Sequence, residues 1–98
     1  MNMDISIQEA KRALVSNRNI RLIDVRTPEE YRKGCIAGSI NVPLANISSY
    51  NGDKNTQIFV YCLSGGRSSK AKQALIAAGY TKVTNIGGIS GWSLTYPR

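Results

Sequence analysis

Residues 57–78 constrain the fold more than any other part of the chain. They open with Gln57-Ile58-Phe59-Val60, a short apolar run of strand formers. They close with residues 69–78, where Ala71, Ala74, Leu75 and Ala78 recur at i, i+3, i+4 and i+7. The second pattern is the period of a helix that buries one face. Between the two lies Tyr61-Cys62-Leu63-Ser64-Gly65-Gly66-Arg67-Ser68. The stretch therefore reads as strand, tight loop and helix, with a cysteine at the first loop position.

That placement has chemical content. A helix N-terminus leaves backbone N–H groups unpaired and carries partial positive charge. Gly65 and Gly66 allow positive φ, so that successive N–H groups can converge on one point. A thiol at that point ionises more easily, because only its anion is stabilised there. Arg67 adds a full positive charge. The loop reads as a cradle for an anionic sulfur and for an anionic substrate that approaches it. The competing reading is a buried, inert cysteine at a strand end; two glycines, an arginine and a helix start within six residues argue against it.

Ninety-eight residues support one small domain with one core, spanning residues 1–98. With 42% hydrophobic and 19% charged residues the composition is that of an ordinary globular chain, and no apolar run reaches the length of a membrane span. Met1-Asn2-Met3-Asp4 lacks a basic segment followed by an apolar one, so the expected location is the cytoplasm. The two cysteines, Cys35 and Cys62, form no metal-ligand spacing and the chain has no histidine. A metal site, a cofactor and a histidine base are not expected. The net charge of +7 is spread along the chain rather than gathered in a run. It steers anions by a long-range field, which fits small anionic donors, an acidic protein partner or nucleic acid, and it also serves solubility. Aromatic residues do not interleave with the basic ones, so nucleic acid is not an expected partner.

Taken in order, Asp4-Ile5 reads as a short opening strand. Ser6-Ile7-Gln8-Glu9 is a capping box for a helix that ends near Asn17. Residues 20–25, nearly all apolar, read as a buried parallel strand. Asp24 and Arg26 fall at its C-terminal end, where open α/β sheets gather ligands; Asp24 reads more readily as a structural partner of loop backbone. Thr27-Pro28-Glu29-Glu30 is a second capping box, with a short helix to Lys33 and a stop at Gly34. Residues 39–42 read as an edge strand, 44–50 as a short helix, 82–85 as a last strand, and 89–92 as a helical turn that packs Trp92 on the core. Strands that alternate with capped helices argue for an α/β parallel sheet with helices on both faces.

The loop resembles the active-site loop of the rhodanese family of sulfurtransferases, which hold a cysteine persulfide in a Cys-x4-Arg or similar ring. Here four residues separate Cys62 from Arg67. Related phosphatases have five, and the shorter ring suits one sulfur atom better than a phosphate. The likeness covers almost the whole chain. Asp24-Val25-Arg26-x-x-x-Glu30-Tyr31, followed by Gly34-x-Ile36-x-Gly38-x-Ile40-Asn41-Val42-Pro43, looks like the family's upstream signature. Asn85-Ile86-Gly87-Gly88-Ile89-x-Gly91-Trp92 looks like its C-terminal one. The resemblance implies a rhodanese-like sheet of about five mostly parallel strands. It also implies sulfur transfer from thiosulfate or a persulfide through Cys62 to cyanide, a thiol or an acceptor protein. Cys62 is then the nucleophile. Leu63, Ser64, Gly65, Gly66, Arg67 and Ser68 form the persulfide loop, with Lys70 as a further attraction for anions. Cys35 stands where the family usually has histidine, and it reads either as an inert space-filler or as a second sulfur carrier. The rival readings are a non-catalytic rhodanese-like binding module, and a phosphatase or arsenate reductase.

Overall fold

The computed structural model describes residues 3–97. Helix α1 covers Ile7–Ser16, and its capping box forms as the sequence dictates: Ser6 Oγ accepts from Glu9 N at 3.1 Å and Glu9 Oε1 accepts from Ser6 N at 3.0 Å. Such a cap is worth about 1 kcal/mol. Strand β1 (Arg21–Asp24) leads to α2 (Pro28–Lys33), where Thr27 and Glu30 form the second box and Pro28 takes the first turn. Then come β2 (Cys35–Ile36), β3 (Ile40–Asn41) and a 3-10 helix over Leu44–Ser49. Strand β4 (Ile58–Tyr61) feeds α3 (Gly66–Ala77), followed by β5 (Val83–Gly87) and β6 (Leu94–Thr95).

Strands β3, β1, β4 and β5 form one parallel sheet in that order. Side chains alternate across it. Ile23, Val25, Ile58, Val60, Cys62 and Val83 face α3 and the 3-10 helix, with Ala71 and Leu75 of α3 and Ile47 packed on them. Leu22, Phe59, Tyr61 and Ile86 face α1, against Ala10, Ile36 and the half-buried Trp92. Both faces are thus covered by helix, which is why β4 reads as an unbroken apolar run. Each fully buried aliphatic side chain stabilises such a layer by about 1.5–3 kcal/mol.

Three details differ from the reading of the sequence. Asp4 and Ile5 form no strand; Asp4 N donates to Asn85 O at 2.8 Å at the edge of β5, and among the described residues this pairing extends no further. The main sheet therefore has four strands. Strands β2 and β6 pair antiparallel in a separate two-stranded unit, where Cys35 faces Thr95 and Ile36 faces Leu94. Two-residue strands carry no periodicity for a pattern to report. Residues 89–92 form a turn closed by Trp92 N donating to Ile89 O, rather than a helical turn.

Candidate active site

Strand β4 delivers Cys62 to the C-terminal edge of the sheet, pointing toward α3. Its backbone N–H donates to Gly87 O at 3.0 Å, and Val60/Tyr61 carry a register shift against β5. The loop then crosses the end of β5: Ser64 bridges Gly88, and Ile89 N donates to Leu63 O at 3.3 Å. Helix α3 begins three residues earlier than the apolar period alone indicates. Gly65 is its N-cap at φ 100°, and Gly66, Arg67 and Ser68 are its first residues. Only Gly65 uses the left-handed region; Gly66 is helical, and a Cβ there would meet nothing within 4 Å. The second glycine's freedom, expected from the sequence to shape the loop, is unused.

The Cys62 sulfur sits at that helix start. Gly65 N donates to it at 2.9 Å, and Ser68 Oγ lies 3.4 Å away. Burial pushes the Cys62 thiol up, but hydrogen bonding from Ser68, Gly65 and Ser64 outweighs it, and the thiol is held below its ordinary range. Cys62 is 1% exposed, whereas Leu63 is 52% exposed and Ser64 and Gly66 lie open, so the loop's outer rim is what solvent meets.

Arg67 is engaged. Its Nη1 and Nη2 donate to Glu30 Oε1 and Oε2 at 2.7 and 3.0 Å, a bidentate pair that ties the loop to α2. Glu30 also accepts from Thr27 N at 3.0 Å, and the Arg67 guanidinium holds its carboxyl down at about 2. The sequence marks Glu30 as a capping residue, and its second partner lies 37 positions away, beyond any local pattern. Lys70 is exposed on α3.

Asp24 and Arg26 serve the scaffold. Both are buried, Arg26 Nη2 meets Asp24 Oδ2 at 2.7 Å and Gly34 O at 2.6 Å, and the Arg26 guanidinium lies over the Tyr61 ring at 5.8 Å. This cluster occupies the Tyr61 face of the sheet, opposite the face of Cys62. Cys35 lies in the β2–β6 unit: its neighbour Ile36 donates its N–H to Tyr61 Oη at 3.1 Å, and Cys35 lines a cavity of about 560 Å³ with Tyr31, Ser39, Ile40 and Tyr96. Cys35 and Cys62 are both free thiols.

Two site residues escape the sequence reading. Asn85, buried on β5, accepts from Ser68 Oγ at 2.7 Å; beside Thr84 in a mixed strand it gave no local signal of burial, and a buried amide needs partners. Gly88 lets the loop pass: a Cβ there would collide with the Leu63 carbonyl. Among the described residues, no group of three or more His, Cys, Asp or Glu could hold a metal ion, and no helix is long and apolar enough to cross a membrane.

Comparison with known proteins follows the same lines. The family model "Rhodanese-like domain" matches residues 6–95. The chain is 44% identical over 71 residues to "Thiosulfate sulfurtransferase PspE" of Escherichia coli, covering 68% of each protein. It is 43% identical over 89 residues to "Thiosulfate sulfurtransferase 16, chloroplastic" of Arabidopsis thaliana, covering 74% of this chain and 73% of that one. A solved structure of "rhodanese with anions from E. coli" superposes with a TM-score of 0.73 at 36% identity, over 80% of this chain and 99% of that one. A loop shaped by Gly65 and Gly88, on a sheet covered by helix on both faces and matched by one family model over nearly its whole length, belongs to a member of the rhodanese family.

Proposed function

We propose that the protein is a sulfurtransferase that moves sulfane sulfur from thiosulfate, or from a persulfide, to a thiophilic acceptor through a persulfide on Cys62. The observation that carries this reading is the convergence of Gly65 N–H and Ser68 Oγ on Cys62 Sγ at the start of α3. The thiolate attacks the outer sulfur of thiosulfate. The sulfur–sulfur bond of the donor breaks, and sulfite leaves with the electron pair. The terminal sulfur of the new persulfide is anionic and rests against the N–H groups of the loop over residues 63–68, of which Ser64, Gly65 and Ser68 already favour the thiolate. Cyanide or a thiolate then attacks that terminal sulfur, and the Cys62 thiolate departs as leaving group. The cycle closes with no net redox change and no metal or cofactor.

The names of the two curated relatives favour thiosulfate as donor. Ring length favours sulfur over phosphorus, since only residues 63–66 lie between Cys62 and Arg67. Arg67 and the exposed Lys70 draw anions toward the rim. The free thiols suit a reducing compartment such as the cytoplasm, and a protein thiol there is a fitting acceptor.

Intact mass after incubation with thiosulfate tests the reading. One extra sulfur atom is expected on the wild type and none on Cys62→Ser, with thiosulfate:cyanide turnover lost in the folded variant. An adduct retained by Cys62→Ser would remove Cys62 from its role. Aryl phosphate hydrolysis that matches the sulfur rate and disappears with Cys62 would make the protein a phosphatase. A folded wild type with neither adduct nor turnover would be a binding module.

A further inference from the structure

The Ser68 hydroxyl has one proton and three acceptors around it: Asn85 Oδ1 at 2.7 Å, Gly65 O at 3.1 Å and Cys62 Sγ at 3.4 Å. Ser68 is fully buried and Asn85 is 3% exposed, so water does not compete for that proton. The orientation of the Asn85 amide follows from Gly87, whose N–H points at Asn85 Oδ1 at 2.9 Å; a flipped amide would set donor against donor. The backbone of Asn85 is clamped as well. Its N–H donates to Asp4 Oδ2 and its carbonyl accepts from Asp4 N, both at 2.8 Å. Two oxygens at 2.7 Å require a proton between them. With Cys62 neutral, Ser68 therefore donates to Asn85 and its oxygen lone pair is left to accept the thiol S–H.

We infer that Asn85 is a positioning residue for Cys62, its carbonyl holding the Ser68 proton away from the sulfur until the sulfur becomes an anion and that proton turns to it. On ionisation the thiol proton passes to solvent, the hydroxyl proton only rotates, and Asn85 Oδ1 keeps the Gly87 N–H. The turn costs the Ser68–Asn85 bond and leaves two acceptors facing each other at 2.7 Å. Asn85 thus restrains the charged sulfur, whereas Ser68 favours it. The inference rests on the reading of Cys62 as the sulfur-carrying thiol.

The test is the pH dependence of Cys62 alkylation by iodoacetamide, followed on the Cys62 peptide by mass. It compares wild type, Ser68→Ala, Asn85→Ala and the double variant. Ser68→Ala is expected to move the midpoint up and Asn85→Ala to move it down, each by roughly half a unit to one unit, the range a single hydrogen bond supplies. In the Ser68→Ala background, Asn85→Ala should have no further effect. Asn85→Leu, of similar shape and without the carbonyl, should move the midpoint down like Asn85→Ala and serves if the alanine variant does not fold; Asn85→Asp, which restores an acceptor, should bring it back to the wild-type value or above. An upward shift in Asn85→Ala and Asn85→Leu, or a shift of equal size with and without Ser68, would overturn the inference. Thiosulfate turnover of the wild type, measured in parallel, reports on the sulfurtransferase reading alone. Opposite-sign shifts without turnover sink that reading and leave the role of Asn85 standing.

Discussion

At Glu30, one carboxylate serves two elements: it closes the cap of α2 and takes both nitrogens of the Arg67 fork. The charge that the sequence assigns to the anion cradle is therefore shared. Glu30→Gln keeps an oxygen for Thr27 N and removes the negative charge, so Arg67 faces incoming anions undiluted. KM for thiosulfate is expected to fall several-fold at low ionic strength and to return toward the wild-type value at high salt, where a long-range field is screened. Steady-state kinetics at two salt concentrations check this, and an unchanged KM would mean that Arg67 does not face the donor. Cys35 carries the opposite expectation. It is buried in the separate β2–β6 unit, beside Tyr31, Ser39 and Tyr96, and among the described residues it shares no hydrogen bond with the Cys62 loop. Cys35→Ser should lose some stability, because a hydroxyl is buried in its place, yet keep turnover within a few-fold. Peptide mapping after thiosulfate should find sulfur on Cys62 alone, and sulfur on Cys35 would make it a second carrier.

At the scale of elements, the strand–loop–helix unit was legible because its parts announce themselves locally: an apolar run, a glycine pair, a 3.6-residue period. What local pattern cannot announce is which distant backbone the loop leans on. Gly88 answers that, since the carbonyl of Leu63 occupies the space of its absent side chain. Gly88→Ala is expected to push the loop off the end of β5, weakening the Cys62 N to Gly87 O bond and the Ser64–Gly88 bridge. Turnover should fall by about an order of magnitude or more, and the midpoint of Cys62 alkylation should rise toward that of an ordinary thiol. Wild-type values for both would mean that the loop tolerates a displaced β5. The start of α3 was misread for a related reason. Arg67 and Ser68 are polar and add nothing to an apolar period, yet they are helical because Gly65 in the left-handed region turns the chain early. The β2–β6 pair stayed hidden because four residues from opposite halves of the sequence meet only in the folded state.

The whole molecule is held across its length by two carboxylates with lowered pKa. Glu30 ties α2 to α3. Asp4, whose burial pushes it up while Lys72 and the Asn85 N–H pull it further down, ties the first described residues to β5. A carboxyl whose folded pKa lies below its unfolded one contributes stability that is complete above the unfolded value and is lost as pH falls through the folded one. For Glu30 that window runs from 4.5 down to about 2. Urea midpoints are expected to hold steady from neutral pH to about pH 5 and to drop between pH 4 and 2. Glu30→Gln should flatten part of that drop, and identical profiles for the two proteins would remove the Glu30–Arg67 pair from the account. The α/β sheet with helices on both faces was readable from sequence because apolar strand runs alternate along the chain with capped helices; the cross-chain ties were not, since Asp4 and Asn85 stand 81 positions apart. That separation also orders events in time. Proteins are made from the N-terminus, and the partners that shape the Cys62 loop, Asn85, Gly87 and Gly88, are synthesised after it. A growing chain that has passed Cys62 but not Gly88 therefore lacks the backbone on which the loop rests, and the loop takes its final shape only when β5 slots in beside β4.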